Sequence, residues 1–206
     1  EVINRSSFSL NQTYFTVWTD PDLGNYNDDY VGCDIDQGLG FIYNSDGYDE
    51  LVAGTPGYLD FPAAGGCDFF KGPLADVGDA YDNDFDGLTD ELGETIGMSK
   101  FLYYNNNIGS FPVQTTNPGL ASHFYNYMTG FWKDGSPFTE NGNAYGGSVP
   151  TSYCYPGELY PQRTGWNEFD AGNLAGDRRF LQSAGPFTLL PGAVNNVTFG
   201  MPWARS

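Results

Sequence analysis

The sequence predicts an all-β chain: a single β-sandwich of jelly-roll type, with long loops and at most one short helix. Two features of composition carry this expectation, and the local patterning supports it. The chain contains 28 Gly and 13 Pro, which punctuate it too often for long helices. Aromatic residues make up 17 %, including 16 Phe and 15 Tyr, side chains that suit pleated sheet and fill a core. The clearest apolar segments are short, and the first alternates with the two-residue period of a strand.

Taken in order, residues 7–18 (SFSLNQTYFTVW) read as the first strand region, with Tyr14, Thr16 and Trp18 alternating with Phe15 and Val17. Leu39–Tyr43 reads as a strand leading into a turn, and residues 52–66, rich in Gly, Pro and Ala, as a surface loop. Asp68–Leu74 returns to a short buried strand. Residues 100–107 (KFLYYNNN) form an aromatic strand ending in an Asn turn. The one credible helix lies in 121–133 (ASHFYNYMTGFWK), where Phe124, Met128, Phe131 and Trp132 fall near helical spacing. Residues 134–170 are irregular. Arg179–Ala184, Pro186–Leu190 and Asn195–Trp203 read as closing strands, with Pro191-Gly192 as the turn between the last two. No internal repeat or linker divides the chain, so residues 1–206 are expected to form one domain.

Charge narrows the function classes. The formal net charge is −18, with 26 acids against 8 bases. Residues 1–94 hold 20 of those acids and only two bases, Arg5 and Lys71, so the whole imbalance sits there. Phosphates need Lys and Arg, which argues against nucleic acid or anionic membrane as partners and in favour of bound cations. No run of about twenty apolar residues exists, so no membrane-inserted helix is expected. The sequence opens at Glu1 without a signal-like segment, which suggests a module processed or excised from a longer protein.

The densest acidic stretch is Tyr81–Glu94, YDNDFDGLTDELGE. Asp82, Asp84 and Asp86 alternate, Gly87 permits a sharp turn, and the Leu88 carbonyl and Asp90 follow. This pattern supplies hard oxygen ligands in the order a calcium loop uses. An EF-hand would place a bidentate Glu at the twelfth position, where this chain has Gly93; Glu91 or Glu94 must therefore close the site. The flanks also lack long amphipathic helices. Calcium in a DxDxDG loop outside an EF-hand is the expectation. A second acidic run, Thr19–Asp36, holds Asp20, Asp22, Asp28, Asp29, Asp34 and Asp36 with no base among them, and a second calcium site is expected there. Asp46, Asp49 and Glu50 either join that second site or face water, and water is the favoured reading.

Little points to catalysis. The single histidine, His123, sits among aromatics and reads as a packing or surface residue. There is no phosphate-binding Gly-rich motif and no zinc pattern. Glu140, Glu158 and Glu168 could serve a glycosidase, but no spacing singles out a pair. Trp132, Tyr145, Tyr153, Tyr155, Tyr160 and Trp166 could stack on sugar rings or fill the core.

Several segments together resemble a known module: WTDPDLGNYNDDYVGCD (18–34), GLGFIYNSDGYDE (38–50), CDFFKGPL (67–74), WKDGSPFT within 125–147, YCYPGE (153–158), 176–200 and the closing PWAR. Their order is similar to a module recurring in large secreted, surface-associated proteins of Bacteroidetes-type bacteria, which commonly carry a C-terminal sorting domain for type IX secretion. The resemblance implies export and cell-surface display, with no established enzymatic role. It also makes VGCD a constant packed element, implying a reduced, buried Cys33. Cys67 and Cys154, in loop-like aromatic surroundings, are then expected to form a disulfide. The sequence thus reads as a calcium-stabilised structural or adhesive module, not an enzyme. Its expected partners are other protein modules, surface glycans or further copies of itself. A carbohydrate-binding module or accessory domain of a secreted hydrolase is the competing reading.

Overall fold

The computed structural model describes residues 1–106, 109, 111–157 and 165–205. Among them are ten strands: β1 (Val2–Ile3), β2 (Leu10–Thr19), β3 (Asp29–Asp34), β4 (Leu39–Asn44), β5 (Ala63–Lys71), β6 (Lys100–Asn105), β7 (Arg178–Leu189), β8 (Val194–Asn195), β9 (Thr198–Gly200) and β10 (Trp203–Arg205). One α-helix, α1 (Ala121–Thr129), lies between β6 and β7. The strands form the all-β sandwich expected from composition. One sheet has the order β10-β5-β4-β3, with β9 also on β5; the other has the order β2-β7-β6; β1 and β8 pair separately. Every pairing between these strands is antiparallel.

Alternation decides which side chains meet between the sheets. Val31, Cys33, Ile42 and Cys67 point inward from one sheet, and Phe101, Phe180 and Gln182 from the other. The sheets approach closely at Gly40. A Cβ there would lie 2.6 Å from both the Gln182 Oε1 and the Phe101 ring, so only glycine fits. Gln182 is fully buried and bridges the sheets, accepting the Gly40 N–H at 3.1 Å and donating to the Gly38 carbonyl at 3.2 Å. The outer face of the β2-β7-β6 sheet is covered in part by α1, whose Tyr127 packs on Tyr104 with ring centroids 5.7 Å apart. The helix stops at Gly130, which takes the left-handed conformation (φ 94°) and donates its N–H to the Asn126 carbonyl.

Several expectations needed correction. Within the acidic run 19–36, Asp29–Asp34 is strand: the acids mark its ends, and Tyr30–Cys33 are buried. Strand β5 begins at Ala63, inside the segment read as surface loop. The two strands expected at 179–190 are one continuous strand, β7, and the stretch 195–203 breaks into short pieces serving two different sheets.

The expected Cys67–Cys154 disulfide is absent: all three cysteines are buried free thiols. The topology explains why. Cys154 lies beside Cys33, whose Sγ–H points at the Cys154 carbonyl (3.5 Å) and whose N–H donates to the Tyr155 carbonyl (3.1 Å). Cys67 sits across β4 from Cys33, with Gly40 between them, two strand spacings or roughly 9–10 Å away. Thiol mapping of the unreduced, denatured protein is expected to return three unbridged cysteines.

A buried ion pair crosses the edge of this core. Arg178 and Glu168 are both buried, with Nη2 and Oε1 3.1 Å apart. Glu168 Oε2 accepts the Val31 N–H from β3 (2.9 Å), while Arg178 donates to Asn105 on β6 and to the Leu174 carbonyl. The guanidinium also lies over the Tyr103 and Phe111 rings. Arg178→Met should leave the Glu168 charge unpaired and cost about 3–5 kcal/mol, measured by urea denaturation.

Candidate metal centre

The connection from Gly72 to Ser99 carries no strand, and its central turn is wound by its own carboxylates. Asp82 accepts two backbone N–H groups, from Asp86 (3.1 Å) and Gly87 (3.0 Å), and Asp86 Oδ1 accepts the Leu88 N–H (2.9 Å). Gly87 turns the chain at φ 94°. These contacts wind the segment until carboxylate oxygens of Asp82, Asp84 and Asp86 all lie within 4.8 Å of one another. Oxygens on opposite sides of one calcium ion are about 4.6–5.2 Å apart, so the three can share an ion.

Glu94 closes the loop. It is nearly buried, and its Oε1 accepts the Asn83 N–H at 2.5 Å. Glu91 reaches the Asp86 carboxyl. Asp90 turns elsewhere, accepting the Ala80 N–H at 3.1 Å, and Leu88 enters through its N–H. Desolvation and the charges of Asp86, Glu94 and Asp82 push the Asp84 carboxyl above its ordinary range, although an Asp86 N–H opposes them. The Glu91 carboxyl is held down by its own N–H, but desolvation and the neighbouring Asp86 and Glu94 outweigh that and raise it. A cation between these groups would reverse those penalties.

The second acidic run does not form one site. Pairing of Thr19 with Phe180 brings Asp20 and Asp22 to Asp177, and these three form a second group whose oxygens lie within 4.8 Å. Arg179 is already there, 2.9 Å from Asp20 and 3.2 Å from Asp177. Asp28 and Asp29 face a different neighbourhood, with Asp49 and Glu50. Asp34 caps the next turn by accepting the Gln37 N–H at 3.1 Å. Asp49, expected to face water, is fully buried and accepts the N–H groups of Asn25 (2.7 Å) and Tyr58 (2.8 Å). Sequence reasoning missed Asp177, and preferred water for Asp49 over a place among the acids of the second run. Asp177 carries no local signal, because only strand pairing brings it to Asp20.

The residues considered for other chemistry are mostly committed to the fold. Trp132 and Tyr155 are fully buried, and Trp132 packs against Tyr103, Tyr127, Phe138 and Tyr145. Tyr153 donates to the Met98 carbonyl, and Trp166 packs on Tyr155. Glu168 is held by Arg178, and Glu140 is exposed. Glu158 and Tyr160 lie outside the described residues. The His123 ring accepts the Gly119 N–H at 3.3 Å. Compared with protein-family profiles, curated proteins and solved structures, the chain matches none.

Burial, with the nearby charges of Glu50 and Asp49, lifts Asp28 to about 7; burial, with the charges of Asp28 and Asp49, lifts Asp29 to about 9 despite Arg178. Both carboxyls therefore bind protons in the folded state that the unfolded chain releases near pH 4. Their contribution to stability is fully present below that range and is lost as pH rises through about 7 and then about 9. In chelator, the melting temperature should fall from pH 5 to pH 9. Asp29→Asn, which removes one of these titrations, should flatten the fall.

Proposed function

We propose that the chain is a calcium-stabilised structural or adhesive module of a secreted cell-surface protein, acting by binding or assembly. The observation that carries this reading is the convergence of Asp82, Asp84 and Asp86 in a loop wound by their own Asx contacts. The donors are all oxygens, with no thiolate or imidazole among them, which favours a hard cation of calcium type. The resemblance to Bacteroidetes-type surface modules supports secretion and display. No helix among the described residues is long and apolar enough to cross a membrane.

Binding or assembly is supported by one sheet edge. The β3 edge is covered, since Glu168 takes the Val31 N–H and Tyr155 takes that of Cys33. The opposite edge, β9 and β10, carries the exposed Phe199 and Trp203, with Phe70 and Met201 exposed beside them. An edge of this kind can add a strand from another module or another copy.

The calcium reading is tested by melting the protein with calcium and with chelator. A hundredfold excess over Kd should stabilise the fold by about 2.7 kcal/mol, and Asp84→Asn should remove most of that gain. An unchanged midpoint, with no bound metal in native mass spectrometry, would overturn it.

A second reading, a carbohydrate-binding module, has one observation in its favour. Trp18 is 52 % exposed and lines, with Tyr104, Phe124 and Met128, a groove of about 430 Å³ between α1 and the sheet. These are not the aromatics that the sequence singled out. Glycan-array binding that disappears in Trp18→Ala would favour this reading; a blank array with wild-type protein would remove it.

A further inference from the structure

A cavity of about 460 Å³, apart from the Trp18 groove, lies where the Asp82 loop comes against β2, β6 and β7. Its wall carries a cation and open aromatic rings. Lys100, at the start of β6, is the one base among the described residues that line it. Tyr81 and Phe85, both on the Asp82 loop, are 70 % and 50 % exposed and offer ring surface to a ligand.

Lys100 has no counter-charge of its own. Among the described residues it joins no salt bridge, and its Nζ donates to the Ser152 Oγ at 2.7 Å. A hydroxyl accepts one of the ammonium's protons but offsets none of its charge. Burial lowers the Lys100 pKa, and no carboxylate opposes that shift. Asp76, Asp79 and Asp82 line the same cavity, yet each is turned to peptide N–H groups. Asp76 accepts that of Thr188 (2.8 Å), Asp79 that of Tyr81 (2.9 Å), and Asp82 those of Asp86 and Gly87. The lysine is also held in place. Its stem packs beside Gly130, where an added Cβ would lie 3.1 Å from the Lys100 Cδ.

We propose that this cavity binds an acidic sugar, with Lys100 holding its carboxylate or sulfate. The proposal rests on the reading that the chain acts by binding, and it gives that role a ligand class. Charge complementarity selects the anion, since an ammonium fixed in a cavity without a carboxylate partner gains a charge-assisted hydrogen bond from one. The rings of Tyr81 and Phe85 receive the apolar face of a pyranose. Oxygens of the three aspartates accept further hydrogen bonds, and a sugar brings hydroxyl protons that an aliphatic acid lacks. The volume falls within the range of about 300–1,000 Å³ that small ligands occupy. Tyr81 and Phe85 ride on the loop that the Asp82 carboxylate winds, so ordering of that loop sets one wall of the cavity.

The test is an NMR-monitored titration of the whole chain with glucuronate, galacturonate and the 6-sulfates of glucose and galactose. Glucose and galactose serve as neutral controls. At least one acidic sugar should bind about tenfold or more tighter than its neutral counterpart, the scale of a hydrogen bond to a charged group. Which of the two anions binds tells the carboxylate source from the sulfate source. Lys100→Met, which keeps most of the stem, should bring acidic-sugar affinity down to that of the neutral sugar. It should leave the calcium-dependent melting shift in place. Tyr81→Ala, at an exposed position, should weaken acidic and neutral sugars alike, and it remains readable if Lys100→Met does not fold. No binding of any acidic sugar, or unchanged affinity in Tyr81→Ala or in a folded Lys100→Met, would overturn the proposal. Sugar binding without a calcium shift would uphold it while removing the calcium reading, so the two are read separately.

Discussion

The buried pair of Arg178 and Glu168 is the contact on which the two sheets' shared edge depends. Through it, one guanidinium at the start of β7 reaches β6 by way of Asn105, and one carboxylate reaches β3 by way of Val31. Neither charge could be buried alone, because desolvation would exceed any packing gain. Together they hold Val31, which is fully buried, at a strand edge that would otherwise leave its N–H unsatisfied. Gln182 performs the neutral version of the same task further along β7, filling the space that Gly40 leaves and taking both a donor and an acceptor from the opposite sheet.

What could be read from the sequence follows from how local each feature is. The Asp82–Asp86 cluster was legible because the spacing that brings the carboxylates together lies within one turn of chain. Alternation in 14–18 and the aromatic run at 100–105 showed the two strands that flank β7 for the same reason. Strand β3 was hidden because its buried interior, Tyr30–Cys33, is only four residues long and is bracketed by aspartates. Asp20 and Asp177 were unreadable as neighbours, since their proximity comes from the β2–β7 register. The cysteine pairing failed on the same ground: the position of β4 between Cys33 and Cys67 is a fact of topology.

The aromatics show a related division. Trp132 and Tyr155 combine a large apolar body with a polar atom, and sequence alone does not say which part governs their placement. In the fold, their polar atoms find internal partners, the Ala144 carbonyl for Trp132 and the Asn173 amide for Tyr155. That satisfaction is what allows both to be buried completely. Trp18 differs because its indole N–H donates sideways along the sheet surface to the Tyr104 hydroxyl, which leaves its ring at the mouth of a groove.

The acid excess can then be followed group by group. A carboxylate near or below the surface is stabilised by an arginine, by peptide N–H groups, by water or by an ion. Arginine serves Glu168, Asp20 and Asp177; peptide N–H groups serve Asp49, Asp34 and part of Asp82. The carboxylates of the Asp82 loop remain, crowded together with no arginine paired to them. That loop lies on a connection outside the main sheet core, where few apolar contacts can offset the entropy of ordering the chain. Placing the unmet charge there means that one cation can neutralise the carboxylates and fix the connection at once.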